Sequence, residues 1–509
     1  MALAIALPAV AQRHGSPDKV PEQFSIGANK FDLLLQYLGR TSGGDGRESY
    51  VRVTTAMARK ALDDARDVNI RLIRVSMPGF SPVVHSRTGD LDLWIKSPEA
   101  YWRRVAGMMD DLDGRNMRLV PVLMWNARQF PAIAGDTVGD LIRDEGSASW
   151  RLLSRYVSDF VRHFKDRKTI AFYELTNELN LGADLDNVKL CRRQRSKAEC
   201  SLAANFSTDE MNAFVRRFAA LVKTLDGSRE ISSGFSVPRA SAEHLRARPG
   251  WSPSGPDWTL DTRAQFERNL KDIHQGVSII SIHLYDKPEN RRFGASDAVE
   301  LIAAAKRVAD SERKKLFVGE FGDRQPDEAG PGSFSFRAID ALERLNVRYS
   351  AIWVWQFYQR KPYRSPGDPQ IPFSLEPGHT DALIRRIAHA NGADKASGPQ
   401  RADVLPPRLV LTWPLECAFL GDEQTVHAIA SDDSGKVERL ELWMNGKRVG
   451  TDTAPPYDWR LQVGALRAGE HKIEIRAHDV VGNVATASRR VYVRDPGGAR
   501  SCELALKRP

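Results

Sequence analysis

Short apolar runs of strand length alternate with stretches of helical period from residue 20 to residue 391, and this alternation restricts the fold more tightly than any figure of composition. The runs fall at 24–29, 70–76, 118–124, 172–176, 230–235, 277–282, 316–320 and 349–355. Helical segments separate most of them, at 56–68, 98–113, 148–164, 298–309 and 334–345. Ser207-Thr208-Asp209-Glu210 opens a further one that closes at Gly227, and Ser296 is placed to cap the helix at 298. Near-continuous apolar runs mark strands covered on both faces, as in a parallel sheet. Eight strand-plus-helix units predict an α/β fold, a (β/α)8 TIM barrel over residues 20–391, with its chemistry at the C-terminal ends of the strands.

Two of the runs deliver a carboxylate to that end. Phe172-Tyr173-Glu174-Leu175-Thr176 leads into Asn177-Glu178, and Leu316-Phe317-Val318-Gly319 leads into Glu320. Each glutamate alone reads as an ordinary strand-end carboxylate paired with a nearby cation. At matching ends of two barrel strands they suit the two jobs of glycoside hydrolysis, protonation of the leaving oxygen and attack on the anomeric carbon or on water. Arg74 lies in the second run, His283 and Tyr285 follow the sixth, Trp125 and Asn126 follow the third, and Trp353 and Trp355 lie in the eighth.

Taken in order, Arg74, Asn177-Glu178, His283-Leu284-Tyr285, Glu320-Phe321-Gly322 and Trp353-Val354-Trp355 resemble the pattern of glycoside hydrolase clan A, and within it the cellulase and mannanase type of family 5. The resemblance implies Glu178 as acid/base and Glu320 as nucleophile, with Arg74 holding the nucleophile ionised. It also implies His283 and Tyr285 supporting the nucleophile, Asn177 and Asn126 at the site, and Trp355 stacked on the sugar. Trp125 reads either as part of the sugar platform or as a packed rim tryptophan. Two departures stand out: Leu179-Asn180 follows Glu178 where proline is usual, and no histidine ends the third run.

Beyond residues 392–407, a linker rich in Gly and Pro, the periodicity shifts to short alternating strands at 409–412, 425–430, 439–444, 472–478 and 487–493, with Asn445-Gly446 as a hairpin turn. Residues 408–509 therefore read as an all-β sandwich. Leu442-Trp443-Met444-Asn445-Gly446 and Asp479-Val480-Val481-Gly482-Asn483 resemble the bacterial immunoglobulin-like domains attached to secreted glycosidases. Such a module implies spacing, cell-surface contact or glycan binding.

The 74 basic residues exceed the 65 acidic ones, giving a net charge of +9, but they are scattered and follow no nucleic-acid-binding motif. A nucleic-acid partner is excluded on that ground, whereas an acidic polysaccharide is not. Residues 1–11 form a short apolar run ending in Ala9-Val10-Ala11, a signal-peptide-like segment without the usual basic start, and no later run is long enough to span a bilayer. Four cysteines allow three connectivities; pairing Cys191 with Cys200 and Cys417 with Cys502 keeps each bond within one domain and suits a secreted or periplasmic protein. The basic loop between Cys191 and Cys200, with Arg192, Arg193 and Arg195, reads as a solvated loop or as a contact for an anionic glycan.

The expected activity is that of a secreted retaining endo-β-glycosidase acting on a β-linked polysaccharide or oligosaccharide, of cellulose, mannan or bacterial exopolysaccharide type. No cofactor and no metal are expected, since the histidines lack ligand spacing. A transglycosylase with the same residues and a non-catalytic carbohydrate-binding or adhesive protein are the alternatives.

Overall fold

The computed structural model describes residues 25–39, 55–79, 91–194, 199–287, 298–357, 373–377, 380–393, 406–421, 423–432, 437–454 and 457–506. The signal-like segment, Arg195, the cap at Ser296 and most of the linker lie outside the described residues.

Eight parallel strands close into a barrel in sequence order: β1 (Ser25–Asn29), β2 (Leu72–Ser76), β3 (Arg118–Met124), β4 (Tyr173–Thr176), β5 (Ile231–Ser232), β6 (Ile279–Leu284), β7 (Lys315–Phe321) and β8 (Tyr349–Ile352). Pairing of β1 with both β2 and β8 closes the ring. The outer helices begin where local chemistry caps them. Ser147 accepts the Trp150 N–H ahead of helix Ala148–Phe164, and Ser207 with Glu210 forms a capping box ahead of Thr208–Leu225. The helix ahead of β6, Arg263–Ile273, carries a Thr262–Gln265 capping box of the same kind. The helix after Ser296 spans Glu300–Ser311, two residues later than its periodicity suggests.

The barrel interior is layered. Leu72, Val120, Phe172, Ile279, Phe317 and Ala351 fill its N-terminal half as a separate apolar cluster, and the larger cluster lies between strands and helices. Above this apolar floor the inward positions turn polar: Asn29, Arg74, Glu174, His283 and Glu320 are all buried. Strand β5 is two residues long where a run of six was expected, because the chain turns away at Gly234, φ 77°. A Cβ there would sit 1.8 Å from the Thr176 carbonyl oxygen, so only glycine fits.

In β7 the register against β6 slips between Ile282 and His283: Ile282 faces Val318, but His283 faces Glu320, leaving Gly319 as an extra residue. This bulge re-aims the strand end. A Cβ on Gly319 would meet His283 Nε2 at 2.8 Å.

The C-terminal module is two packed sheets. One has the order β10-β16-β15-β12-β13 and the other β14-β11-β9, from β9 (Arg408–Trp413), β10 (Ala418–Leu420), β11 (Glu423–Ser431), β12 (Val437–Met444), β13 (Lys447–Asp452), β14 (Tyr457–Gln462), β15 (Gly469–Asp479) and β16 (Val484–Val493). Three of these, β10, β13 and β14, were missed in the sequence. Asn445 and Gly446 both take positive φ, 51° and 80°, as a two-residue turn between β12 and β13 requires. The Asp479 carboxylate accepts the N–H groups of Val481, Gly482 and Asn483, which accounts for the second quoted motif as a side-chain-closed turn. Both disulfides form in the local pairing, Cys191–Cys200 and Cys417–Cys502, each with Cα atoms 5.6 Å apart. No described helix is long and apolar enough to cross a membrane.

Beyond β8, Glu376 is 1 % exposed; Ser374 Oγ donates to its Oε1 at 2.5 Å, while Oε2 has no partner among the described residues. Burial pushes this carboxyl up to about 7. The folded chain therefore keeps a proton that the unfolded chain releases nearer its ordinary value, so this group's contribution to stability falls as pH rises toward 7. The Glu376→Gln variant is expected to be more stable than the wild type by roughly 2 kcal/mol at about pH 8.5, with the gap closing by about pH 5. Urea unfolding at the two pH values measures it; an equal gap at both would rule out the buried proton as the cause.

Candidate active site

The C-terminal rim of the barrel opens into a cavity of about 840 Å³ whose wall includes Asn177, Glu178, His283, Tyr285 and Glu320. Glu178 leaves β4 in the left-handed region, φ 51° and ψ 27°, an uncommon conformation for a non-glycine residue. Its N–H donates to the Gly234 carbonyl at 2.7 Å, so the turn that shortens β5 also fixes the backbone carrying Glu178. Functional side chains are often held by such over-determined backbone.

Arg74 is fully buried and joins the polar groups of four elements. Its Nε donates to Glu174 at 2.6 Å, Nη1 to Glu320 at 2.7 Å and to Asn29 at 2.9 Å, and Nη2 to Asn177 Oδ1 at 2.8 Å. The guanidinium also lies 4.8 Å from the centroid of Trp125. Asn177 is thereby fixed by the same cation as Glu320. Glu174, the second carboxylate on Arg74, sits inside the apolar run of β4, where the sequence pattern alone assigns it no role.

Glu320 receives Arg74 on Oε1 and the Tyr285 hydroxyl on Oε2 at 2.7 Å. His283 stands between the two candidate carboxyl groups, its Nδ1 3.2 Å from Glu178 Oε1 and 3.5 Å from Glu320 Oε1. Burial pushes this imidazole down to about 4, so the ring is neutral at pH 7. Its Nε2 has no partner among the described residues, which puts the single ring proton on Nδ1, facing the carboxylates. Burial raises the Tyr285 phenol well above its ordinary value, and the charge of Glu320 adds to this, so Tyr285 remains a donor.

Burial raises both carboxyl groups. Glu320 has the Arg74 guanidinium and the Tyr285 hydroxyl in direct hydrogen bonds, both of which favour its ionised form. Among the described residues no Lys or Arg lies at that distance from Glu178, which is 31 % exposed against 6 % for Glu320. A single proton shared by the pair therefore belongs on Glu178, which is also the group that water can reach.

One oxygen of Glu178, one of Glu320 and a ring nitrogen of His283 lie within 4.8 Å of one another. That spacing could hold a cation, but the donor set does not suit one: Arg74 already places a positive charge on the Glu320 oxygen nearest His283.

The aromatic groups divide differently from expectation. Trp355 is fully buried and its indole N–H donates to the Ala61 carbonyl at 2.8 Å, which corrects its assignment as the sugar platform. Trp353 lines the cavity instead, as does Trp125; their ring centroids are 6.0 Å apart, and Phe31 packs against both, at 4.9 Å from Trp353 and 5.4 Å from Trp125. Asn126 is not part of the cavity wall; its Oδ1 accepts the Arg128 N–H at 3.0 Å and closes a turn. Arg192 and Arg193 are exposed on the helix Asn187–Gln194 and do not line the cavity.

Residues 407–475 match the family model of a bacterial Ig domain. No curated protein matches the chain by sequence. Among solved structures the chain is similar to an endo-beta-1,4-mannanase from Thermotoga petrophila, at 18% identity and a TM-score of 0.46, covering 93% of this chain and 98% of that one. It is also similar to a glycoside hydrolase family 5 mannosidase from Rhizomucor miehei, at 13% identity and a TM-score of 0.48, covering 73% of this chain and 93% of that one.

Proposed function

We propose that the protein is a retaining glycoside hydrolase that cleaves a β-linked glycan by double displacement, with Glu320 as nucleophile and Glu178 as acid/base. The observation that carries this reading is the pair itself. Oxygens of two carboxyl groups approach within 4.8 Å at the rim of a barrel, one group buried and hydrogen-bonded to a cation and a phenol, the other partly open to water. Separations of ~5 Å belong to enzymes that attack the sugar directly, whereas inverting enzymes keep ~6.5–9.5 Å for a water between the carboxyl groups.

In the first step a Glu320 oxygen bonds to the anomeric carbon as the glycosidic C–O bond breaks, and the Glu178 proton passes to the departing oxygen. In the second, Glu178, now ionised, takes a proton from water whose oxygen displaces Glu320 from the sugar. The neutral Nδ1–H of His283 faces both carboxyl groups and can follow the negative charge from one to the other without a net proton transfer. Both disulfides favour a location outside the reducing cytoplasm.

The test is reducing-end release from a panel of neutral and acidic β-linked polysaccharides, with the anomer of the first-formed product read by NMR. A β-anomer from a β-linked substrate is the expected result; an α-anomer would exclude Glu320 as nucleophile. Loss of the Glu178 proton should set the alkaline limb of kcat/KM, above the ordinary carboxylate range because burial raises that group. With a 2,4-dinitrophenyl glycoside, whose leaving group needs no proton, the alkaline limb of the glycosylation step should flatten. A limb unchanged by the leaving group would assign it to some other residue.

A further inference from the structure

Apart from Glu178 and Glu320, the cavity wall carries no acidic side chain among the described residues, and its remaining charged groups are Arg239 and Lys287. Both act electrostatically on Glu178. Arg239 is anchored to the turn that follows Glu178, with Nε and Nη2 both donating to the Leu181 carbonyl. The Lys287 ammonium lies 5.7 Å from the Tyr285 ring centroid.

On the same wall Trp258 and Leu260 are 56% and 65% exposed, large apolar side chains held out into solvent. The segment that carries them is tied down: Ser241 Oγ donates to the Trp258 carbonyl at 2.9 Å, and the Asp261 N–H donates to the Ala240 carbonyl at 2.7 Å. An exposed indole on a tethered segment, on a wall that also carries two cations, matches a ligand with one apolar face and a negative charge. A neutral sugar would need only the first.

We infer that this part of the cavity is a binding subsite for an anionic sugar, a uronic acid residue whose ring lies on Trp258 and whose carboxylate is received by Arg239 and Lys287. The inference rests on the glycosidase reading only in placing this subsite on the leaving-group side, because the proton donor faces the departing sugar. The occupied subsite also acts on chemistry. Glu178 is faced by Arg74, His283, Tyr285 and Glu320 from the barrel and by Arg239 and Lys287 from the subsite, and the two subsite cations favour its ionised form. A bound carboxylate offsets them and returns Glu178 toward the protonated form that donates. The substrate thus completes the proton donor.

The experiment uses full-length Glu320→Gln protein, in which cleavage is blocked, and two matched pairs of oligosaccharides: cellohexaose with its C6-oxidised hexaglucuronate, and mannohexaose with hexamannuronate. In calorimetry the uronate of at least one pair should bind about tenfold or more tighter than its neutral partner. In the Arg239→Gln/Lys287→Gln background the two members should bind nearly alike, and Lys287→Arg should keep the preference. Equal binding within both pairs, absence of uronate binding, or a preference that survives the double substitution would each overturn the subsite. With otherwise wild-type protein, the alkaline limb for a cleaved uronate should lie above that for its neutral partner. Uronate preference in binding without cleavage of either pair would retain the subsite and reject the glycosidase.

Discussion

Replacing Glu320 with alanine should lower kcat/KM on a β-linked glycan by at least ~10⁴-fold, the scale expected when a covalent nucleophile is removed. The fold should survive, because Arg74 keeps its ion pair with Glu174 at 2.6 Å and is not left unpaired in the barrel. Azide added to this variant has the vacated space beside Tyr285 and Arg74, so it should attack an activated aryl β-glycoside from that face and give the α-glycosyl azide. Glu178→Ala should behave differently. The first step on a 2,4-dinitrophenyl glycoside needs no acid, so the glycosyl-enzyme accumulates and azide, entering from the opposite face, yields the β-glycosyl azide. The anomers of the two azides, read by NMR, assign the two roles independently of how far activity falls. Exchanged anomers would mean exchanged roles, and absence of any azide product from both variants would remove the covalent intermediate.

The second large effect is expected at Arg74. Its guanidinium is fully buried and is the counter-charge of two carboxylates on different strands, so Arg74→Met leaves Glu174 and Glu320 without their cation. Breaking such a pair from one side costs about 3–5 kcal/mol, most of it the burial of uncompensated charge. Glu320, already raised by burial, would rise further without the cation that opposes it. The sign of the kinetic effect follows: the nucleophile must be ionised, so the acid limb of kcat/KM should move to higher pH. The stability deficit should in turn be largest at alkaline pH and shrink as Glu320 takes up a proton. Adding Glu174→Gln should restore much of the stability and none of the activity. Urea unfolding with the pH profile separates the two roles; a double variant as unstable as Arg74→Met would show that the loss comes from packing, not from charge.

The barrel was legible because each strand is an apolar run with a helical stretch after it, and two-faced burial imposes that pattern along the whole domain. Where the pattern failed, a local competitor decided. At Ser232-Ser233-Gly234 the chain keeps strand-like composition but bends, because Gly234 takes positive φ under the Thr176 carbonyl. In Trp353-Val354-Trp355 strict alternation assigns both indoles to one face. The strand ends at Ile352, however, and beyond it Trp353 turns to Phe31 and the cavity while Trp355 points to Ala61. Glu174 carried a usable signal, a charge inside an apolar run, which demands a buried partner. Arg239, Lys287 and Trp258 carried none, since loop residues gain meaning only from the wall they are folded onto.

The extra residue at Gly319 divides β7 into two registers. Below it, Phe317 belongs to the apolar floor; above it, Glu320 faces His283 in a count that has been reset. The floor can therefore be repacked without rotating the nucleophile, while straightening the bulge with Gly319 kept in the ladder would turn Glu320 out of the barrel with every floor contact intact. For anyone transplanting this rim onto another barrel, the natural cut lies beneath Gly319: the insertion travels with the chemistry, and the scaffold below it is interchangeable.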